Sequence, residues 1–184
     1  MTKFEIHTIE SAPEGSASAL QALEQGLGFV PNLAATMAES PALVTGFVDL
    51  RKNLTGGELT GVEREIVALA VSFENDCDYC MAAHSTFALM QDADEAAVSQ
   101  ARAGVAPEDP KLGALYRFTR SLVANRGHVT EQETEALLAA GYSRAALFDV
   151  VAQVGFTTLA NLAHSISRAP VDSAFEPQAW ARAA

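Results

Sequence analysis

The chain has 184 residues, 49% of them hydrophobic and only 7% aromatic, which predicts a single compact domain over residues 1–184 with a sizeable core. Twelve basic residues stand against 23 acidic ones, a formal net charge of −11, and this charge argues against nucleic acid and anionic membrane surfaces as partners. The opening residues lack a basic segment followed by a long apolar one, and no uninterrupted apolar run of about 18 residues occurs. We therefore expect a cytoplasmic protein without a spanning helix.

Apolar residues recur with helical period through most of the N-terminal half. We predict helices there over residues 18–26, 33–37 and 41–54. The Gly-Phe-Val-Pro-Asn stretch at residues 28–32 breaks the pattern between the first two. Thr60 and Glu63 have the spacing of a capping box, which predicts a helix that starts there and runs to about Phe73. Its apolar residues fall on both sides of the helix, so we expect it to be buried nearly all round.

Three more helices are predicted in the C-terminal half: residues 110–125, 130–141 and 143–168. The second begins at another capping box, Thr130 and Glu133, and the third at Ser143. No stretch shows sustained period-two alternation, so no strand is predicted and the expected fold class is an all-α bundle. The tripeptide Ala-His-Ser occurs at residues 83–85 and again at 163–165, which makes a duplicated helical unit one hypothesis.

The two cysteines, Cys77 and Cys80, lie at the start of a further helix predicted over residues 77–90, with Asp76 as its cap. At this spacing they share a helix face and suit a disulfide, and His84 follows one turn later, within reach of the Cys80 sulfur. The helix N-terminus and an imidazole both favour the thiolate, the form that attacks peroxides and disulfides. These arguments leave open which cysteine attacks first.

Glu65 lies at the edge of the buried stripe on the preceding helix. A carboxylate in that position needs a partner or stays protonated. We predict that it orients His84 or relays its proton, the task of the third group beside an activated nucleophile.

Other interpretations of the same residues stay open. The cysteines could be two small core residues, or they could bind zinc together with His84. Zinc would need one further ligand from His7, His128, His164 or Glu65. We expect His128 in a solvated turn, and His164 as a buried, hydrogen-bonded histidine unless the two halves pack so as to bring it to the site. Tyr79 is interpreted as a packing residue or gate.

The motif at the cysteines resembles a known family. Glu-Arg-Glu-Ile at residues 63–66, Asn-Asp-Cys-Asp-Tyr-Cys at 75–80 and Ala-Ala-His at 82–84 are similar to the AhpD-like branch of the carboxymuconolactone decarboxylase family. The chain length and the stretch at residues 28–32 resemble its peroxidase-related members.

This resemblance implies an all-helical, oligomeric alkylhydroperoxidase-type protein. It implies that Cys80 is the peroxidatic cysteine, that Cys77 resolves, and that His84 and Glu65 form a proton relay. It also implies a lipoyl-type dithiol as reductant. From the residues themselves we expect no metal and no bound cofactor. The best-studied peroxidases of the family have a histidine where this chain has Tyr79, a difference that bears on both the relay and the reductant.

The expected function is therefore a thiol-dependent peroxidase that reduces hydroperoxides through a Cys77–Cys80 disulfide. Three alternatives differ in the groups that they use. A thiol–disulfide oxidoreductase would use the same cysteines without peroxide specificity. A decarboxylase-like acid/base enzyme would use Glu65 and His84 and leave the thiols idle. A redox-sensing assembly protein would oligomerise on oxidation without turnover.

Overall fold

The computed structural model describes residues 4–182. Its described part has no strand and is built of nine α-helices and a short 3-10 helix, Glu176–Gln178, which confirms the all-α prediction. The α-helices are α1 (Ala17–Leu27), α2 (Asn32–Met37), α3 (Pro41–Leu54), α4 (Gly61–Glu74), α5 (Asp78–Met90), α6 (Glu95–Arg102), α7 (Pro110–Ala124), α8 (Glu131–Ala139) and α9 (Arg144–Ser167).

Helix α4 forms the centre of the bundle and packs against α5, α7 and α9. Seven consecutive residues, 66–72, are fully buried, so the prediction of burial on all sides is confirmed. Burying an Ile, Leu or Val side chain contributes roughly 1.5–3 kcal/mol, so this helix anchors its neighbours strongly. The Thr60–Glu63 capping box that starts it is present with both of its hydrogen bonds.

Two hydrophobic clusters meet at α5. One packs α4 and α5 against α6, α7 and α8. The other packs α5 against α1, α2, α3 and α9 and contains both cysteines. Because α5 contributes to both clusters, its first turn is held from several directions, and the cysteines sit on a rigid element.

The segment after α9 returns across α5 and is fixed by polar contacts. Arg102 donates hydrogen bonds to the Ser85 hydroxyl and to the carbonyls of Gln178 and Ala179. Phe175 on the same segment is 1% exposed and packs against Phe87. This segment thereby closes one side of the space in front of α5.

Two differences from the predicted elements have local causes. Helix α6 was not predicted, because it has only eight residues and Val98 is its one large apolar residue. Its start is nonetheless marked by Asp94, whose carboxylate accepts a hydrogen bond from the Ala96 N–H. The expected cap of α5 was wrong: Asp76 has a left-handed backbone, with φ of 53°, and Cys77 is the cap residue.

Helix α9 packs into the core on one side and is exposed to solvent on the other. It contacts α2, α3, α4, α5 and α7, and 39% of its most apolar window is buried in the protein. By length and composition alone it is the one helix of residues 4–182 that could cross a membrane, although the sequence has no uninterrupted apolar run of that length. Its exposed large apolar side chains are Phe148, Val151, Leu159, Leu162 and Ile166.

Candidate functional site

The first turn of α5 is organised by Cys77 itself. Its backbone is extended, and its sulfur accepts a hydrogen bond from the Cys80 N–H at 3.4 Å. A sulfur in the cap position thus takes the role that a Ser or Asp oxygen usually has, facing the unpaired N–H groups at the positive end of the helix. Both cysteines are free thiols and both are buried.

Cys77 has a second partner from α9. Its sulfur lies 3.7 Å from Nδ1 of His164, and the Asp78 carboxylate lies 3.5 Å from the same nitrogen. The Nε2 of His164 is 3.1 Å from the Ala169 carbonyl, which accepts a hydrogen bond from it. That bond keeps a proton on Nε2, so Nδ1 faces the sulfur and can receive its proton.

These contacts shift the pKa values of the two thiols in opposite directions. The Cys80 thiol is the main influence that lowers the pKa of Cys77 to about 5; burial opposes this, while His164 and the Cys80 N–H add to it. Burial, followed by the neighbouring Cys77 thiolate, raises the pKa of Cys80 well above its ordinary value. Burial acts to lower the pKa of His164, but the Cys77 thiolate and Asp78 raise it overall. The resting pair therefore holds one negative charge, centred on Cys77.

His84 and Glu65 form a second pair on the other side of Cys80. Nδ1 of His84 lies 2.7 Å from a Glu65 carboxylate oxygen, and the His84 side chain is 11% exposed. Gln91 donates to the other Glu65 oxygen at 3.5 Å. The carboxylate fixes the proton on Nδ1 and leaves Nε2 for exchange with another group.

Tyr79, between the cysteines, ties the site to two distant segments. Its hydroxyl donates to the Asp172 carboxylate at 2.5 Å and accepts from the Leu33 N–H at 3.3 Å. Its ring stacks on His164 with centroids 5.2 Å apart. Burial, and then Asp172, raise the pKa of its hydroxyl far above the ordinary value, so Tyr79 stays protonated and acts as a packing residue, as one of the two sequence interpretations held.

A cavity of about 610 Å³ opens in front of Cys80, a size typical of small-molecule sites. Its wall is largely apolar and contains a stacked aromatic pair, Phe47 and Phe156, with centroids 4.3 Å apart. Cys80, His84 and Glu65 also lie on this wall, whereas Cys77 does not. A ligand in the cavity would therefore lie beside Cys80 and the His84–Glu65 pair.

The structure brings together all four residues predicted for the site, with one contact missing. No hydrogen bond joins His84 to Cys80 among residues 4–182, although both border the same cavity. In the same described range, no group of three or more His, Cys, Asp or Glu side chains is arranged to hold a metal ion. His128 is exposed in the turn after α7, as expected, and His7 pairs with Glu39 instead.

The sequence predicted His164 at the site only on the condition that the two halves of the chain pack so as to bring it there. It lies 87 residues from Cys77 along the chain, and the spacing of apolar residues in α9 does not indicate which helix His164 faces. The repeated Ala-His-Ser tripeptide was the one available signal. The expectation of a buried, hydrogen-bonded histidine holds, but one of its partners is the Cys77 sulfur.

Comparisons with known proteins agree on the fold. Residues 41–110 match the model of the carboxymuconolactone decarboxylase family. No curated protein matches the chain. Among solved structures, a peroxidase-related protein with an alkylhydroperoxidase AhpD core from Ralstonia eutropha JMP134 is 24% identical, with a TM-score of 0.83 over 94% of this chain and 93% of that one.

Two other solved structures share the architecture. A peroxidase-related protein from Silicibacter sp. TM1040 is 22% identical, with a TM-score of 0.79 over 97% of this chain and 98% of that one. The debrominase Bmp8, in complex with 2,3,4-tribromopyrrole, is 19% identical, with a TM-score of 0.74 over 88% and 87%. The matched segment and the shared helical fold together make this chain similar to the AhpD-like proteins of the carboxymuconolactone decarboxylase family.

Proposed function

We propose that the protein is a thiol-dependent peroxidase that reduces organic hydroperoxides through Cys77 and Cys80. The observation that carries this proposal is the arrangement around Cys80. Cys80 lines an apolar cavity that it shares with the His84–Glu65 pair, and the Cys77 sulfur accepts a hydrogen bond from the Cys80 N–H. A nucleophile, a proton donor and a second thiol are then available on one rigid element.

The proposed reaction begins with transfer of the Cys80 proton to Nε2 of His84, whose Nδ1 proton stays with Glu65. Its thiolate attacks the outer oxygen of the hydroperoxide, the O–O bond breaks, and the alkoxide leaves as an alcohol after receiving a proton from His84. Cys80 is oxidised to a sulfenic acid while the peroxide is reduced. The Cys77 thiolate then attacks the Cys80 sulfur, hydroxide leaves as water with one proton, and a disulfide forms.

An external dithiol closes the proposed cycle. Two thiol–disulfide exchange steps transfer the oxidation to that dithiol and return Cys77 and Cys80 to thiols. A lipoyl-type dithiol is the proposed reductant, and it rests on the family resemblance alone. Its approach is open on the cavity side, where Cys80 is the sulfur on the wall.

The test is the oxidation state of the two cysteines after one equivalent of cumene hydroperoxide, read by thiol-labelling mass spectrometry. We expect rapid and stoichiometric conversion to an intramolecular Cys77–Cys80 disulfide. If both thiols stay reduced while a small disulfide oxidises them quickly, the protein is a thiol–disulfide oxidoreductase. If neither reagent oxidises them, acid/base chemistry by Glu65 and His84 takes precedence.

The exposed face of α9 supports a second copy of this chain as a partner. Phe148, Leu162 and Ile166 are 76%, 58% and 70% exposed, and with Val151 and Leu159 they fall within about 80° of arc on the helix. Successive members lie three, eight, three and four residues apart, which keeps them on one side of the helix, as in a helix-pairing seam. Because the stripe runs along a single 24-residue helix, it can pair with itself across a two-fold axis.

We expect the wild-type protein to be an oligomer in solution and Leu162→Glu to dissociate it, because a carboxylate buried in an apolar seam loses its hydration. Size-exclusion chromatography with light scattering gives the mass of each. Val105→Glu is the matched control, since Val105 is 54% exposed and lies outside α9. A wild-type protein that is monomeric at micromolar concentration would contradict this proposal.

A further inference from the structure

Besides its phenylalanines, the wall of the cavity contains positively charged side chains. Arg51, Lys52 and Arg64 all border the cavity, against a single carboxylate, Glu65. That carboxylate is already engaged by His84 and Gln91. Positively charged side chains therefore outnumber carboxylates on the cavity wall, although the formal net charge of the protein is −11. This local excess of positive charge calls for an explanation.

Among residues 4–182, neither Arg51 nor Lys52 has a hydrogen-bonded or ion-paired side-chain partner, and of these two cations Arg51 is the partly buried one. Arg64 donates to the Leu59 carbonyl at 2.6 Å, and Lys52 is exposed to solvent. Arg51 is only partly exposed, and within residues 4–182 it makes no hydrogen bond or ion pair. Burial lowers the pKa of its guanidinium while the Glu65 charge acts in the opposite direction. Five N–H donors of a partly desolvated guanidinium thus lack protein acceptors.

The position of Arg51 argues against a purely structural role at its own helix end. It lies in the last turn of α3, where a cation could serve the terminal carbonyls. One of its Nη atoms instead lies beside Gly26 of α1, 3.7 Å from the place a Cβ would occupy. The side chain thus extends toward the neighbouring helix, and it also borders the cavity.

We propose that the cavity takes an organic hydroperoxide that also carries a carboxylate, with Arg51 binding the carboxylate and the apolar walls holding the body of the molecule. This inference rests on the proposed peroxidase function, because it assigns the reacting end of the substrate to Cys80. A planar guanidinium matches a carboxylate with two parallel hydrogen bonds. A fatty-acid or aromatic-acid hydroperoxide has the required chemistry: an anionic end, an apolar body and an O–O bond.

The kinetic test uses three related hydroperoxides: cumene hydroperoxide, its para-carboxylic acid derivative and the methyl ester of that derivative. We expect the wild-type protein to favour the acid over the ester by about tenfold or more in kcat/KM, the scale of one charge-assisted contact. Arg51→Gln should lower the acid-to-ester ratio about tenfold, and Arg51→Lys should retain part of it. Arg117→Gln, which removes an exposed arginine bordering a different depression, should leave the ratio unchanged.

A binding measurement separates this inference from the proposed function. Titration calorimetry compares para-isopropylbenzoate with its methyl ester, neither of which can react, on the wild-type protein and on Arg51→Gln. Tighter binding of the acid that disappears in Arg51→Gln supports the carboxylate site even if no hydroperoxide is turned over. Equal binding of acid and ester by the wild-type protein, or equal turnover of the two hydroperoxides, overturns it. Thermal unfolding of each variant checks that it is folded.

Discussion

Replacing Cys80 with serine is expected to abolish the reduction of organic hydroperoxide, whereas replacing Cys77 with serine should allow one equivalent to react and then stop. Loss of a nucleophile typically costs about 10³-fold or more in rate, because a serine hydroxyl at neutral pH does not replace a thiolate. In Cys77→Ser the attack on peroxide survives but no resolving thiol remains. The product should be a sulfenic acid at Cys80.

This asymmetry follows from position. Cys80 is among the residues that line the cavity and Cys77 is not, so a peroxide that enters is expected to meet Cys80 first. Cys77 instead faces His164 and Asp78. Formation of a disulfide also requires that the second cysteine can reach the one that is oxidised first. The close contact between the Cys80 N–H and the Cys77 sulfur meets that requirement.

The measurement is mass spectrometry of each single variant after one equivalent of cumene hydroperoxide, with a reagent that labels sulfenic acid. Ala88→Ser, a substitution on the same helix that leaves both thiols and does not border the cavity, is the matched control for the local change in polarity. A sulfenic acid on Cys77 in the Cys80→Ser variant, with Cys77→Ser unreactive, would assign the attack to Cys77. That outcome would contradict the role that the family resemblance gives to Cys80.

The low pKa of Cys77 is compatible with attack by Cys80. The two sulfurs share one negative charge, with the remaining proton on Cys80 in the resting pair. Transfer of that proton to Cys77, His164 or His84 exposes a Cys80 thiolate toward the cavity. Once Cys80 is oxidised, the charge stays on Cys77, which is then ready to attack it. In the proposed cycle, the charge held on Cys77 would therefore serve the second step directly and the first step by proton exchange.

Much of this fold was predictable because its signals are local. The two capping boxes, at Thr60 and Thr130, start helices exactly as their side-chain spacing indicates. The apolar period of the central helix predicted its burial on all sides, and residues 66–72 are fully buried. The pairing of Glu65 with His84 was also predictable, since a carboxylate on a buried helix edge needs a partner.

What the sequence could not supply depends on contacts between distant segments. His164 reaches Cys77 across 87 residues, and the Tyr79 hydroxyl reaches Asp172 across 93. The apolar periodicity of α9 predicts which of its faces are apolar, but it does not predict which helix packs against each face. The expected cap at Asp76 failed for a related reason: the chain turns through a left-handed residue there, and this turn delivers Cys77 to the cap position that faces His164.

The last expectation concerns His164. Replacing it with glutamine should raise the pKa of Cys77 from about 5 toward the ordinary thiol value of about 8.5, because the imidazolium charge and its hydrogen bond to the sulfur are both lost. A thiol whose pKa is depressed in the folded state stabilises the fold above its unfolded pKa, and this contribution disappears as the pH falls through about 5. His164→Gln should therefore weaken the fold near neutral pH and flatten this part of its pH dependence.

The titration is followed by ultraviolet thiolate absorbance in a Cys80→Ser background, where Cys77 is the remaining thiol and a hydroxyl still donates to it. His84→Gln and His128→Gln are the controls. His84 pairs with Glu65 on the cavity side and His128 is exposed, so neither should move the Cys77 titration. A midpoint that His164→Gln leaves unchanged would mean that the helix terminus and residue 80 alone hold the charge on Cys77. A midpoint that moves only in His164→Gln assigns the two histidines to different sulfurs: His164 to the resolving thiol, and His84 to the chemistry in the cavity.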